Sequence, residues 1–269
     1  MDFAERRLPD ITLDDCDRWV LWLEDQGLSP CTVNHCLATA KVMFREATRR
    51  RLIRDDPMQY VDRVPDRKLP KGILTFEETR TLFASTEPWH GSLLHYTASL
   101  FAACTGSRIG EVRALRGSDV YPAYVLIYRS KSGRYEPTDT KTGVPTAAPI
   151  PERLYVCLDG LRQVNGSGYL FSIDGGVAPV WETPLTRALY GAMARIGISE
   201  EERRRRRITY HSWRHWFVTW MRAEGIPDAK VAAITRHAGA AMQAHYTHIS
   251  LEHYADVLSV QSRLLPTQP

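Results

Sequence analysis

Three stretches near the end of the chain organise the rest of the sequence: His211-Ser-Trp-Arg214-His215, Ile234-Thr-Arg-His237 and Ala244-His-Tyr246-Thr-His248. His211 and Arg214 are three residues apart, so on a helix they share one face and reach toward one point outside it. The small residues that follow His237 let the segment carrying Tyr246 fold back toward that face. A hydroxyl nucleophile, a guanidinium and imidazoles in one place suit a phosphate ester as their target.

Length and composition bound the class of protein. The 269 residues suffice for one large domain, or for a small domain and a larger one, and 43% hydrophobic residues support a real core. Five cysteines, an odd number without C-x-x-C spacing, argue against zinc and disulfides and favour a reducing cytosol. No apolar run approaches the roughly 18 residues of a membrane span, and the N-terminus lacks a signal peptide's apolar core.

Basic residues concentrate in two places, although the net charge is only +4. The first cluster contains only one acidic residue that offsets its positive charge, Glu46. Its six basic residues are Lys41, Arg45, Arg49, Arg50, Arg51 and Arg54. The second is the arginine run, the five consecutive residues 203–207. Such clusters attract polyanions, and each of them taken alone is equally compatible with a solvated helix face.

Helix-start signals dominate the N-terminal part. Thr12 and Asp15, three residues apart, predict a capping box that begins a first helix. Ser29 as N-cap and Pro30 at the first helical position begin a second helix, which carries the first basic cluster and is expected to end at Asp55. The fold is therefore helical at this end.

A linker follows, because residues 62–73 combine prolines, a glycine and charged residues. We expect a helical domain over 1–68 and a second domain over 69–269. In the second domain Tyr124–Tyr128 is rich in β-forming residues, and residues 129–134 read as a polar turn. The predicted fold class is mainly α with a small antiparallel β-sheet (α+β).

Other elements of the second domain are predicted from caps and periodicity. Ser107 is expected to cap a helix over 108–115, and Thr75 to cap an earlier one. Residues 199–207 read as a basic insertion, and the tail over 251–265 is expected to form one more helix.

Ordered motifs in this chain resemble those of the tyrosine site-specific recombinases, the phage-integrase family. The motifs are Thr105-Gly-Ser-Arg108, Lys141-Thr-Gly143 ahead of Pro149-Ile-Pro151, His211-x-x-Arg214, and His237 nine residues before Tyr246. The first 68 residues resemble the family's helical core-binding domain, especially Ser29-Pro-x-Thr-x-Asn34. The resemblance covers nearly the whole chain, and the ordered set is far more specific than any single motif. One departure is Arg236, where the family usually has a glycine.

The resemblance implies an active site without metal or nucleotide cofactor. Its catalytic residues would be Arg108, Lys141, His211, Arg214, His237 and Tyr246. Tyr246 would attack phosphorus and form a 3′-phosphotyrosyl link, while the two arginines stabilise the charge of the pentavalent phosphorus. Glu111 would orient Arg108 from one helical turn away, and the alternative for Glu111 is a plain surface ion pair.

The proton-transfer roles follow the same resemblance. Lys141 would protonate the leaving 5′ oxygen, with Lys131 as a rival in a neighbouring turn. His211 would act as an acid–base partner or orient the phosphate, and His237 would hydrogen-bond it. We expect His237 to point at the phosphate and Arg236 to face DNA or solvent.

The implied function is cleavage and rejoining of duplex DNA in the cytoplasm, associated with the nucleoid and not with a membrane. Candidate phosphate contacts are the arginine run and Lys41, Arg45, Arg49, Arg50 and Arg51. The family implies four protomers on two DNA sites, with the tail reaching a neighbour or docking on its own domain. The alternatives are a catalytically inactive DNA-binding relative and a topoisomerase-like relaxing activity. Integration of a mobile element, inversion and dimer resolution all remain open, as does the target sequence.

Overall fold

The computed structural model describes residues 6–67, 71–133, 136–139, 145–236 and 251–264. The chain divides into two compact units, Met1–Pro70 and Lys71–Pro269, called here the N-terminal and the C-terminal unit. The division lies within the predicted linker, and each unit has a hydrophobic core of its own. The prediction of a mainly helical fold with a small antiparallel sheet is confirmed.

The N-terminal unit begins with helices α1 (Leu13–Asp25) and α2 (Pro30–Arg49). The predicted capping box is present, because Thr12 and Asp15 each accept a hydrogen bond from the other's backbone N–H. The predicted cap of α2 is also present, since the Ser29 hydroxyl accepts the N–H of Thr32 at 3.2 Å. Local side-chain chemistry thus sets both helix starts.

Helix α2 ends earlier than the predicted Asp55. Arg51 adopts a left-handed backbone conformation with φ 59°, which turns the chain out of the helix. The N–H of Leu52 then donates to the carbonyl of Ala47 at 2.9 Å and closes the helix end. The buried face of α2 repeats at three- and four-residue steps and packs with α1 into one core, whose fully buried members include Cys16, Val33, Leu37, Phe44 and Met58.

The C-terminal unit is also largely helical. Its helices are α3 (Phe76–Phe83), α4 (Leu93–Thr105), α5 (Ile109–Ala114), α6 (Glu152–Asn165), α7 (Glu182–Arg195), α8 (Glu200–Arg205), α9 (Ser212–Ala223), α10 (Asp228–Thr235) and α11 (Ala255–Ser262). Every residue of α4 from Tyr96 to Thr105 is buried, as the apolar sequence requires. Helix α4 is therefore the central element against which the motif-bearing segments pack.

Two small sheets lie between α5 and α6. Strands β1 (Val120–Tyr121), β2 (Tyr124–Ile127) and β5 (Thr146–Pro149) form one antiparallel sheet in that order. Strands β3 (Arg129–Ser130) and β4 (Thr138–Asp139) form the other, with Arg129 opposite Asp139. The prediction of a simple polar turn over 129–134 was wrong at its start, because residues 129–130 pair as a strand.

The arginine run belongs partly to helix α8, so the predicted basic insertion over residues 199–207 contains a short helix. Arg206 donates from Nη1 and Nη2 to the two carboxylate oxygens of Glu78 at 2.7 and 2.8 Å, and also to the carbonyl of Ile73. Gly72 donates its N–H to the Arg206 carbonyl, and a Cβ on Gly72 would lie 2.1 Å from that oxygen. Arg203 stacks over the ring of Tyr190 at 3.7 Å. These two arginines serve the fold of the unit itself.

The tail docks on its own unit, which is the second of the two placements expected from the sequence. Buried Gln261 donates from Nε2 to the carbonyls of Cys104 and Pro149 at 2.7 and 3.0 Å. Lys230 donates to Asp256 at 2.8 Å, which ties α10 to the start of α11. Among the helices that the structure describes, none is long and apolar enough to cross a membrane.

Candidate active site

A glycine turn carries the chain from the buried helix α4 into the candidate site. Gly106 has φ 62° and donates its N–H to the Ala102 carbonyl, which ends the helix. A Cβ at Gly106 would lie 2.9 Å from side-chain atoms of both Phe217 and Thr235. Only glycine fits this conformation and this space, so helices α9 and α10 approach closely at the point where Arg108 follows.

Arg108, not Ser107, is the N-cap of helix α5. The Ser107 hydroxyl lies 2.7 Å from the Thr105 hydroxyl and makes no cap there. Instead, the carboxylate of Glu111 accepts the Arg108 N–H at 2.8 Å, which is the return half of a capping box. The same carboxylate accepts Nη1 of Arg108 at 3.0 Å. Glu111 is buried, whereas the Arg108 side chain remains 40% exposed and accessible to an anion.

Arg214 joins the segments of three motifs. It lies one turn into helix α9, only 2% exposed, and its Nη1 donates to the Gly106 carbonyl at 2.8 Å. Its Nη2 donates to the carbonyl of Thr235, the last residue of α10. Burial, together with the charges of Arg108 and Arg236, lowers the pKa of Arg214 to about 9, so it remains a cation at neutral pH.

Arg236 faces inward, which contradicts the expectation that it would face DNA or solvent. Its side chain is 1% exposed, and Nη2 donates to Glu111 at 2.6 Å. Nη1 donates to the carbonyl of Ile234 at 2.8 Å. The cause is the buried carboxylate of Glu111, which draws a second guanidinium into the interior.

Glu111 therefore lies at the centre of the arginine cluster, the name used here for Arg108, Arg214 and Arg236. Burial alone raises the pKa of the Glu111 carboxyl. The charges of Arg236 and Arg108 and the hydrogen bond from the Arg108 N–H outweigh it, so the net pKa is lowered. The cluster carries three positive charges against one negative charge, which suits a phosphodiester.

His211 lies beside the cluster, at the N-cap of helix α9. Partial burial is the main cause that lowers its pKa to about 4, and His215, Lys71, Arg214 and Arg108 add to it in that order. The two imidazoles lie edge to face with their centroids 5.1 Å apart. At neutral pH His211 is neutral, so it can accept a proton or hydrogen-bond a phosphate oxygen through either tautomer.

The segment that carries Lys131, directly after strand β3, is fixed against α5. The Lys131 N–H donates to the carbonyl of Gly110 at 2.9 Å, and Arg113 Nη1 donates to the Lys131 carbonyl at 3.0 Å. Arg113 is almost fully buried and also contacts the Val180 carbonyl and Glu182. Nothing in the sequence around Arg113 indicates a buried charge, because its partners Val180 and Glu182 lie 67 and 69 residues further along the chain.

The structure thus places Arg108, His211 and Arg214 on neighbouring segments, with Glu111 bonded to Arg108 and Arg236. The other three predicted catalytic residues, Lys141, His237 and Tyr246, lie outside the described residues. Within the described part of the chain, no three His, Cys, Asp or Glu side chains group as metal ligands.

Lys41, Arg45, Arg49, Arg50 and Arg51 among the predicted DNA contacts lie on the N-terminal unit, whereas the arginine run lies on the C-terminal unit. Arg49 donates from Nε and Nη2 to Glu46 at 2.7 and 2.6 Å, and Arg50 shares the same carboxylate. Lys41 donates to the Val61 carbonyl at 2.6 Å. Arg45, Arg49, Arg50 and Arg51 are exposed, so their guanidinium groups remain open to solvent.

Comparison with known proteins agrees with the motifs. Residues 73–253 match the model of the phage integrase family, which is more than half of the chain. The transposase of transposon Tn916 from Enterococcus faecalis is 24% identical over 259 residues, covering 90% of this chain and 64% of that protein. The tyrosine recombinase XerD of Caulobacter vibrioides is 27% identical over 246 residues, covering 89% of this chain and 77% of XerD.

A solved structure shares the fold. The integrase of transposon Tn1549, in complex with a circular intermediate DNA, superposes with a TM-score of 0.68 at 21% identity. The superposition covers 96% of this chain and 86% of that one. The chain spans 64% of the length of the Tn916 transposase, so what that whole protein does is a matter for proposal here.

Proposed function

Because the chain belongs to the phage integrase family of tyrosine recombinases, we propose that it cleaves and rejoins duplex DNA at specific sites through a 3′-phosphotyrosyl intermediate. The observation that carries this proposal is that Arg214 donates to the Gly106 carbonyl, two residues before the partly exposed Arg108, while His211 lies at the N-cap of the same helix as Arg214. Two guanidiniums can bind the nonbridging oxygens of a phosphodiester and stabilise the extra charge of its transition state.

The bond changes of the proposed reaction balance without an external energy source. The Tyr246 phenol gives its proton to His211 as its oxygen bonds to phosphorus, and the bond from phosphorus to the 5′ oxygen breaks as that oxygen takes a proton from Lys141 as general acid. Rejoining reverses both steps, because the phosphotyrosine keeps the energy of the broken phosphodiester. His211 and His237 would hydrogen-bond the phosphate and assist proton transfer at the phenol.

Several features support duplex DNA as the partner. The family member from transposon Tn1549 has been solved on DNA, and the exposed arginines of α2 and the turn after it offer a basic surface in this chain. Those contacts would position the backbone and would not read sequence. We also propose four protomers on two DNA sites, as the family resemblance implies, and association with the cytoplasmic nucleoid.

The proposal is tested by trapping the covalent intermediate. A nicked suicide duplex loses the short fragment that carries the new 5′ hydroxyl after cleavage, so a recombinase accumulates a protein–DNA adduct that survives denaturing electrophoresis. Wild type is expected to form this adduct, and Tyr246→Phe to bind the duplex with unchanged affinity and form none. Tyr60→Phe is the matched control, because Tyr60 is 70% exposed on the other unit, and its adduct should equal that of wild type.

Two other outcomes would favour the alternatives. DNA binding without an adduct for wild type would mean that the chain is an inactive DNA-binding relative. Relaxation of supercoiled DNA of any sequence, through the same Tyr246 adduct, would favour a topoisomerase-like activity. Sequencing the DNA in the adduct separates the latter from site-specific recombination, since one recurring site is expected for a recombinase.

A further inference from the structure

Arg236 occupies a backbone position that does not favour arginine. It ends helix α10 with φ 58°, the left-handed conformation that glycine adopts most readily. The residue directly before His237 is therefore held in an unfavourable conformation. Its side-chain contacts must offset that cost, which makes those contacts informative about function.

The contacts are made to a carboxylate that Arg108 also uses. Oε2 of Glu111 accepts Nη2 of Arg236 at 2.6 Å and the backbone N–H of Arg108 at 2.8 Å. Oε1 accepts Nη1 of Arg108 at 3.0 Å, with Nε of Arg236 at 3.4 Å. Each oxygen thus connects α5 to the end of α10, two elements that are 125 residues apart at this contact.

The shared carboxylate has an electrostatic consequence. With Arg108 alone, Glu111 would cancel the charge of that guanidinium. With Arg236 as second partner, the three groups keep one net positive charge, and Arg108 is the member that is exposed to an incoming anion. A low-dielectric interior makes this difference larger than it would be in water.

We propose that Arg236 is a positioning residue of the active site: through the Glu111 carboxylate it fixes the end of α10, directly before His237 in the sequence, to α5 and leaves the charge of Arg108 available to the scissile phosphate. The inference rests on the proposed function, since it concerns the same reaction. It assigns Arg236 no contact with the reacting atoms.

Three substitutions at Arg236 separate charge from backbone conformation. Arg236→Met keeps the side-chain length and the left-handed backbone cost but removes the charge, so the first-order rate of adduct formation at saturating DNA should fall about 10-fold. The DNA concentration for half-maximal rate should change by less than about 3-fold, because the ground-state contacts remain. Arg236→Lys restores the charge and should recover most of the rate. Arg236→Gly removes the cost of the left-handed backbone conformation without restoring the charge, so it should not recover the rate.

Two further variants identify the path of the effect. Because Arg236 acts through Glu111, adding Arg236→Met to Glu111→Gln should slow cleavage by less than about 2-fold beyond Glu111→Gln alone. The matched control is Glu78→Gln, which breaks a carboxylate pair of this unit in which both oxygens likewise accept from one arginine, Arg206. It should lower Tm and leave the cleavage rate of the folded protein unchanged.

The inference fails if Arg236→Met cleaves at the wild-type rate, or if its rate falls only as far as its folded fraction does. It also fails if Arg236→Gly restores the rate that Arg236→Met has lost, because backbone relief would then be the cause. If wild type itself forms no adduct, the proposed function fails and the inference falls with it. If wild type forms the adduct and Arg236→Met forms it equally fast, the inference is overturned and the proposed function still stands.

Discussion

The arginine run and the arginine cluster lie in the same unit and use the same side chain in opposite ways. In the run, Arg204 and Arg205 are both 72% exposed and pair with Glu200 and Glu202 on the preceding turn of α8. Exposed pairs of this kind contribute little, because water and salt screen them. The most conspicuous charge in the sequence is thus largely neutralised by its neighbours.

The arginine cluster is dispersed in the sequence and concentrated in space. Arg214 and Arg236 are almost fully buried and donate to backbone carbonyls and to Glu111. Burial is the main cause that lowers the pKa values of Arg214 and His211, and the neighbouring cations add to it. The comparison teaches that charge density along the sequence does not identify the arginines that the fold buries against Glu111 and the backbone carbonyls.

The largest expected difference between the two groups is catalytic. Arg214→Lys should lower the first-order rate of adduct formation by about 100-fold or more, because one ammonium cannot bind both carbonyls and a phosphate. Arg204→Lys should change that rate by less than about 2-fold. Single-turnover assays on the suicide duplex at saturating DNA measure both. Equal losses in the two variants would break the comparison.

A second difference concerns stability. Glu111→Gln leaves two partly or fully buried guanidiniums without a carboxylate and should lower the free energy of unfolding by about 3 kcal/mol. Glu202→Gln removes an exposed partner of the run and should cost less than about 1 kcal/mol. Urea denaturation followed by circular dichroism compares them. A loss at Glu202 as large as that at Glu111 would mean that the run stabilises the fold as strongly as the cluster does.

The sequence predicted what local chemistry determines. The caps at Thr12, Ser29 and Thr75 are present, because each depends on residues three positions away. Gly106 marked the end of α4, because the left-handed backbone conformation at that position favours glycine. The family was also correctly identified, since its motifs are short and ordered.

The features that could not be predicted from the sequence depend on contacts between residues far apart in the chain. The inward position of Arg236 could not be predicted, because its partner Glu111 lies 125 residues away and only the fold brings the two together. Helix α8 was missed although Ser199 accepts the Glu202 N–H as an ordinary cap, a signal that the arginines after it obscured. The catalytic roles of Lys141, His237 and Tyr246 stay predictions.

The smallest expected difference is a pH dependence of stability. The pKa of His211 is lowered from 6.5 to about 4 in the folded chain, so the unfolded chain binds its proton at higher pH. Stability should therefore be complete above about pH 6.5 and fall as the pH drops toward 4. Because His211 is partly exposed, solvent screening reduces the loss to about 1 kcal/mol.

His211→Asn isolates this contribution, since asparagine does not titrate and the other cations near it are unchanged. His215, whose pKa is lowered by its own burial and by Lys71 and Arg214, titrates in both proteins, so only its interaction with His211 remains in the difference. Urea unfolding at several pH values should show a stability difference between wild type and His211→Asn that grows with pH across this window. Arg204→Gln, in the run, should shift the whole curve without changing its slope. A parallel pair of curves for wild type and His211→Asn would mean that neither partial burial nor the neighbouring cations shift the titration of His211. In that case the titration of His211 would not distinguish the cluster from the run.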